Sequence, residues 1–194
     1  MDYRHKNPSH AFTLKADAIA NMLSLDIEIT PIDNQALRFK TKGIWDTGAT
    51  NSVITQEVVN ALKILPTGIK NVNTASESNK PTATYLVDIF LKPDLQVRAV
   101  EVTEGKIASA HGYDCLIGMD IIALGDFSIN TFDNKTWLSF RIPSRGHVDF
   151  VAQLNRETEI ATNHIKSGKP FTSPCLCGSG KKFKNCHGKD WEKV

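Results

Sequence analysis

Gly43-Ile44-Trp45-Asp46-Thr47-Gly48-Ala49-Thr50-Asn51-Ser52-Val53-Ile54 is an apolar stretch broken in its middle by one carboxylate. Apolar flanks draw such a loop inward, where a carboxylate is costly unless it is hydrogen-bonded or paired. Gly48 lets the chain turn sharply and brings backbone N–H groups close to Asp46, and Thr47 sets a hydroxyl beside it. A carboxylate held this way suits work on a water molecule. One is insufficient for peptide cleavage, because a base must activate water while an acid protonates the departing amine. Two carboxylates sharing one proton fill both roles. Asp-Thr-Gly alone is also a common turn, so the triplet by itself leaves a purely structural loop open.

Outward from this loop, the chain from Ala18 to about Pro143 reads as short apolar strands separated by turn residues, the rhythm of an all-β barrel or sandwich. Strands are predicted over Met22–Ile29, Ala36–Thr41, Ile44–Trp45, Tyr85–Leu91, Val97–Val102, Phe127–Phe132 and Thr136–Ile142. Asp133-Asn134 tolerates the tight turn between the last two. Tyr85, Val87, Ile89 and Leu91 share one face at period two, as do Leu138, Phe140 and Ile142. Two short helices are predicted: Gln56–Lys63 with Thr55 as its N-cap and an apolar face of Val58, Val59 and Leu62, and Met119–Leu124, stopped by Gly125. Residues 1–17 are expected to be a flexible polar lead-in.

Ile44-Trp45-Asp46-Thr47-Gly48-Ala49-Thr50 resembles the active-site loop of the retropepsin family, retroviral-type aspartic peptidases with bacterial relatives. The family pattern is two apolar residues followed by Asp-Thr-Gly-Ala. Further along, Asp114-Cys115-Leu116-Ile117-Gly118-Met119-Asp120-Ile121-Ile122 is similar to the family's apolar pair ending in Gly and leading into a short helix. The resemblance covers Leu23 to Ile142 and implies a mainly β fold, a retropepsin-like acid-protease barrel with one lobe per chain, over residues 18–146. It implies Asp46 as the catalytic carboxylate, Thr47 bracing the two loops across a dimer axis, and Gly48 making backbone contacts to substrate. With Ala49, Ile117 and Gly118 it implies a substrate-binding floor. No second Asp-Thr-Gly or Asp-Ser-Gly occurs in the chain. The partner carboxylate is therefore expected from a second copy, a homodimer whose two-fold axis puts the same residue on both sides. Three departures stand out: Thr50 where retroviral members usually have Asp, Met119 where they usually have Arg, and a candidate lid, Thr74–Lys80, without glycine. Ala49 brings no hydroxyl to the carboxyl pair, so activity is expected to extend to weakly acidic or neutral pH.

The texture changes after Ile142-Pro143-Ser144-Arg145-Gly146. Asp149 caps a predicted helix running to about Lys166, with Phe150, Leu154, Ala161 and Ile165 as a narrow apolar seam. Residues 147–168 are expected to form a helical strut, and its seam is also suited to pairing with a second chain. The tail, residues 169–194, holds Cys175, Cys177, Cys186 and His187. Three thiols and one imidazole match a closed structural zinc site, and a segment this small lacks a core of its own, so metal would supply its folding energy. The run Cys175-Leu176-Cys177-Gly178-Ser179-Gly180-Lys181-Lys182-Phe183-Lys184-Asn185-Cys186-His187 resembles the SEC-C motif, a zinc-binding module that contacts proteins or ribosomes. Phe183 and the surrounding lysines are expected to offer an exposed binding face.

The net charge of +2 hides an asymmetry: residues 165–194 carry seven Lys against two acids, and the remainder holds 16 basic and 19 acidic residues. A basic tail on a mildly acidic body points to an acidic protein surface or nucleic acid, or to solubility alone. No stretch reaches the ~18–20 apolar residues of a membrane helix, and the first residues lack the apolar run of a secretory signal, so no membrane partner and a cytoplasmic location are expected. Cys115 reads as a buried apolar thiol, Trp45 as core, and His111 and His147 as loop residues. Two functions remain in view. One is a homodimeric aspartic endopeptidase acting on peptides or proteins, with zinc as a structural cofactor of its recruitment tail. The other is a non-enzymatic dimeric adaptor that uses the peptidase fold to bind peptides and the tail to dock.

Overall fold

Alternating apolar and polar residues carry the first part of the chain into strands, because period-two patterning buries one face of each strand. The computed structural model describes residues 9–73, 78–92, 94–107 and 112–191. They divide into two units, Met1–Gly146 and His147–Val194. The first contains β1 (His10–Lys15), β2 (Ser24–Pro31), β3 (Phe39–Trp45), β4 (Val53–Ile54), α1 (Gln56–Leu62), β5 (Gly68–Val72), β6 (Lys80–Lys92), β7 (Leu95–Glu104), β8 (Tyr113–Ile117), α2 (Met119–Ile122), β9 (Asp126–Phe132) and β10 (Lys135–Ile142).

Six strands close on themselves in the order β2-β3-β8-β4-β7-β6, β6 pairing back to β2, and β5 pairs with the early part of β6. The fold is mainly β, a six-stranded closed barrel. Its core is filled by the predicted face of β6 (Tyr85, Val87, Ile89, Leu91) with Val58, Val59 and Leu62 of α1. Thr55 precedes α1 but its hydroxyl does not cap it; it donates instead to Asp114 Oδ1 at 3.0 Å. Thr41 Oγ1 donates to Asp114 Oδ2 at 2.8 Å, so one partly buried carboxylate ties β3 and the start of α1 to β8.

A second sheet of three strands, β1-β10-β9, is antiparallel throughout. Its β9–β10 hairpin turns at Asp133-Asn134, both at positive φ (54° and 52°), as the tight turn requires. The lead-in expected to be flexible across residues 1–17 is corrected over His10–Lys15, which pairs along all of its length with β10. Phe12 of that strand lies 6.4 Å from Trp45, itself 5.1 Å from both Phe127 and Phe140 (ring centroids). These four rings join the small sheet to the barrel at Trp45, the residue before Asp46. Beyond β10, Asp126 accepts from Arg141 Nε at 2.8 Å and from the Arg145 N–H at 2.9 Å, holding the departing chain against β9.

The second unit comprises α3 (Phe150–Lys166) and the cysteine segment. Ala152 N–H donates to Asp149 Oδ1 at 2.9 Å, the predicted N-cap. The predicted seam is not a buried stripe: Ala161 is buried, whereas Phe150, Leu154 and Ile165 are 69%, 61% and 41% exposed. The C-terminal half of α3 instead buries Ala161 and His164 against Phe183 and Cys175.

Candidate active-site loop and metal centre

Residues 46–52 form the link between β3 and β4, and the strand lying between those two in the barrel is β8. β3 runs parallel to β8 and β4 antiparallel to it, so the loop arches over the end of β8. The crossing is laced by backbone hydrogen bonds. Asp46 N–H donates to the Ile117 carbonyl at 3.0 Å, Met119 N–H to Ala49 O at 2.8 Å, and Asp120 N–H to Thr50 O at 3.2 Å. Gly118 sits at the closest approach: a Cβ there would lie 2.6 Å from Asn51 C, 2.7 Å from Asn51 O and 2.9 Å from Ala49 O. No side chain fits, which explains why glycine stands there.

Asp46 is half-buried and Thr47 and Gly48 are exposed beside it. Gly48 N–H donates to Asp46 Oδ1 at 2.8 Å, as the tight turn was expected to allow. Among the described residues no basic side chain forms an ion pair with Asp46. The Gly48 backbone N–H thus orients the carboxylate. The structure brings Asp46, Ala49, Ile117 and Gly118 together but does not give them equal access. Ile117 and Gly118 are buried: Ile117 packs into the barrel, and its carbonyl accepts from the Asp46 N–H. They support the loop from below. The candidate lid lies largely outside the described residues, as residues 74–77 do, and so does His111.

Two residues that sequence reasoning did not single out complete the crossing. Ser52, fully buried, donates from its hydroxyl to Asp120 Oδ1 at 2.8 Å and from its N–H to Asp120 Oδ2 at 2.9 Å. Its Oγ also accepts from Gly118 N–H at 3.0 Å. The only signal available in the sequence was a polar Ser directly before the apolar pair Val53-Ile54, unreadable without the register that pairs β4 with β8. Cys115, one strand residue below, is fully buried, and burial with the nearby charges of Asp120 and Asp114 pushes its thiol far above the ordinary range. It is an inert core thiol, as expected.

In the second unit, the ligand atoms of Cys175, Cys177, Cys186 and His187 all lie within 4.8 Å of one another. Cys177 and Cys186 sulfurs are 3.6 Å apart, and His187 Nδ1 is 3.4 Å from Cys175 Sγ and 3.3 Å from Cys186 Sγ. A tetrahedral zinc with bonds of ~2.3 Å to sulfur and ~2.0 Å to nitrogen has edges of roughly 3.5–3.8 Å, close to these separations, with His187 Nδ1 slightly nearer its sulfurs than such an edge. Ser179 Oγ stands 3.1 Å from Cys177 Sγ, and with the Ser179 backbone it lowers that thiol to about 6, favouring the thiolate a metal requires. The donor set is complete without a water, so the centre is a structural, non-catalytic zinc site. Phe183 corrects the expectation of an exposed binding face. It is 0% exposed, stacked on His164 at 3.8 Å and 8°, with Phe171 edge-on at 4.9 Å.

Residues 32–123 match the family model described as gag-polyprotein putative aspartyl protease, and residues 172–189 match the SEC-C motif. The chain carries a retropepsin-like aspartic-protease domain followed by a SEC-C motif. Among solved structures it is similar to a retropepsin-like aspartic protease from Rickettsia conorii, at 14% identity over 72% of this chain and 98% of that one, TM-score 0.44. It is also similar to the EIAV protease complexed with the inhibitor HBY-793, at 20% identity over 53% and 86%, TM-score 0.40. A third is the retroviral protease-like domain of Ddi1 from Leishmania major, at 15% identity over 61% and 91%, TM-score 0.34. No curated protein matches the chain. No helix among the described residues is long and apolar enough to cross a membrane.

Proposed function

We propose that the protein is an aspartic endopeptidase that works as a homodimer, with Asp46 of each copy supplying one carboxylate of the catalytic pair. The observation that carries this reading is the Asp46 loop: a carboxylate oriented by the Gly48 N–H, flanked by exposed Thr47 and Gly48, and pinned from below by β8. Two such carboxylates sharing a proton divide the labour. The ionised one takes a proton from water as that water attacks the peptide carbonyl, and the protonated one supports the developing oxyanion before a proton reaches the leaving amine. The zinc-binding tail serves to recruit a substrate or partner, a protein or a ribosome, raising its local concentration around the peptidase.

The deciding experiment incubates purified protein with a diverse peptide library across pH, beside Asp46→Asn. Cleavage by the native protein that disappears in the variant, with a rate per mole that rises with protein concentration, is the expected outcome. Cleavage unchanged in Asp46→Asn, or none at any pH and concentration, removes the enzyme reading and leaves the dimeric adaptor.

A further inference from the structure

A loop that must hold a catalytic carboxylate to within a fraction of an ångström needs restraint at both ends. At the near end Asp46 is tethered by its own N–H to Ile117 O and by Gly48 N–H to its carboxylate. At the far end one side chain adds to the backbone hydrogen bonds that Ala49 O and Thr50 O accept. Asp120, in the first turn of α2, accepts from the Ser52 hydroxyl at 2.8 Å and from the Ser52 N–H at 2.9 Å, and also from the Ile121 N–H at 3.0 Å. Ser52 is fully buried, and its Oγ passes the connection on by accepting from Gly118 N–H. Its carbonyl accepts from Thr103 N–H at 3.1 Å, which anchors the same point to β7.

We propose that Asp120 is a positioning residue for Asp46, a latch that fixes the far end of the catalytic loop through Ser52. The assignment rests on the peptidase reading above. Three observations separate a latch from a residue that merely begins a short helix. Two of the three hydrogen bonds that Asp120 accepts come from the loop rather than from α2. Both oxygens are used, so the carboxylate grips Ser52 by main chain and side chain together. The donors are rigid: a buried hydroxyl and two backbone N–H groups, with no exposed, wandering cation among them. Bonds to an ionised acceptor are the stronger kind, and with Ser52 buried no water replaces Asp120 cheaply. Release of the latch therefore removes the side-chain hold on Ser52 and loosens the loop that carries Asp46, which keeps its backbone hydrogen bonds to Ile117, Met119 and Asp120. Misplacement of a reacting group by about an ångström costs up to ~100-fold in rate.

The test compares native protein, Asp120→Ala, Asp120→Asn and Ser52→Ala, all at a concentration where rate per mole no longer rises. The probe is the fluorogenic peptide cleaved fastest in the library screen, and amide hydrogen exchange is measured across residues 46–52 in the same samples. The latch predicts kcat lowered about tenfold to hundredfold in Asp120→Ala with KM within twofold, and faster exchange confined to the loop. Asn keeps one accepting oxygen, so Asp120→Asn should recover part of kcat; Ser52→Ala should resemble Asp120→Ala. Unchanged kcat, unchanged exchange in the loop, or loss of activity matched by global unfolding with no recovery in Asp120→Asn overturns the assignment. Native protein that cleaves nothing defeats the peptidase reading instead, and the exchange data then report separately whether the latch itself exists.

Discussion

At the scale of single residues, the candidate site is governed by how closely two backbone segments approach. Gly118 lies under Asn51 and Ala49 with no room for a methyl group. Gly118→Ala must push the loop away from β8, and overpacking of this kind costs about 1–3 kcal/mol. Activity should fall by far more than that stability loss implies, because the displaced segment carries Asp46. Thermal melts and peptide cleavage on the same preparation check it; an active, displaced-loop protein would argue that Asp46 is not the working carboxylate. The same scale shows what sequence alone made legible. Asp46, Thr47 and Gly48 were readable because their order is local. Ser52 and Asp120 were not, because they are 68 positions apart and only the barrel's register joins them. Phe183 misled for a different reason. An aromatic among lysines reads as surface, yet in a segment with so few apolar residues that ring is buried, packed with Cys175 and Phe171.

At the scale of elements, strands with a strong period-two face were foreseen and strands without one were not. β6 announced itself through Tyr85, Val87, Ile89 and Leu91. β1 offers only Phe12 and Leu14, and its partner β10 is over a hundred residues away, so nothing local signals it. The clamp after β10 makes a pH prediction. Hydrogen bonds from the Ser144 hydroxyl, then from the Arg145 N–H and Arg141, hold the Asp126 carboxyl well below the usual carboxylate range. A carboxyl that is harder to protonate in the folded state contributes stability above its unfolded value, and that contribution drains away as pH falls below about 4. Asp126→Asn should therefore be less stable than the native protein near pH 7 and lose less on acidification. Melting temperatures from pH 7 down to pH 2 test the slope; parallel curves would mean the clamp has no energetic weight. α3 makes another. Its buried contacts, Ala161 and His164, face Phe183 and Cys175. A helix of 17 residues is marginal without such packing. Chelation should release about one zinc per chain and lower the helical circular dichroism signal, restored by added zinc. Metal loss with an unchanged spectrum would show that α3 stands without the knuckle.

At the scale of the whole molecule, one chain contributes one Asp-Thr-Gly, so the proposed chemistry belongs to a pair of chains and should fade on dilution. Sedimentation and cleavage rate followed across one dilution series should fall together; full activity in a species that sediments as a monomer would contradict a shared site. The tail, by contrast, is complete within each copy, its four ligands coming from residues 175–187. Loss of zinc and loss of cleavage are therefore separable failures. The strand at His10–Lys15 has a practical bearing on how the protein is cut for study. A boundary drawn from patterning would begin the peptidase domain at Ala18, which strips an outer strand from a three-stranded sheet and removes the Phe12 ring from the stack over Trp45. Chains trimmed there should come out sticky and prone to precipitate, whereas chains begun before Ser9 should remain in solution.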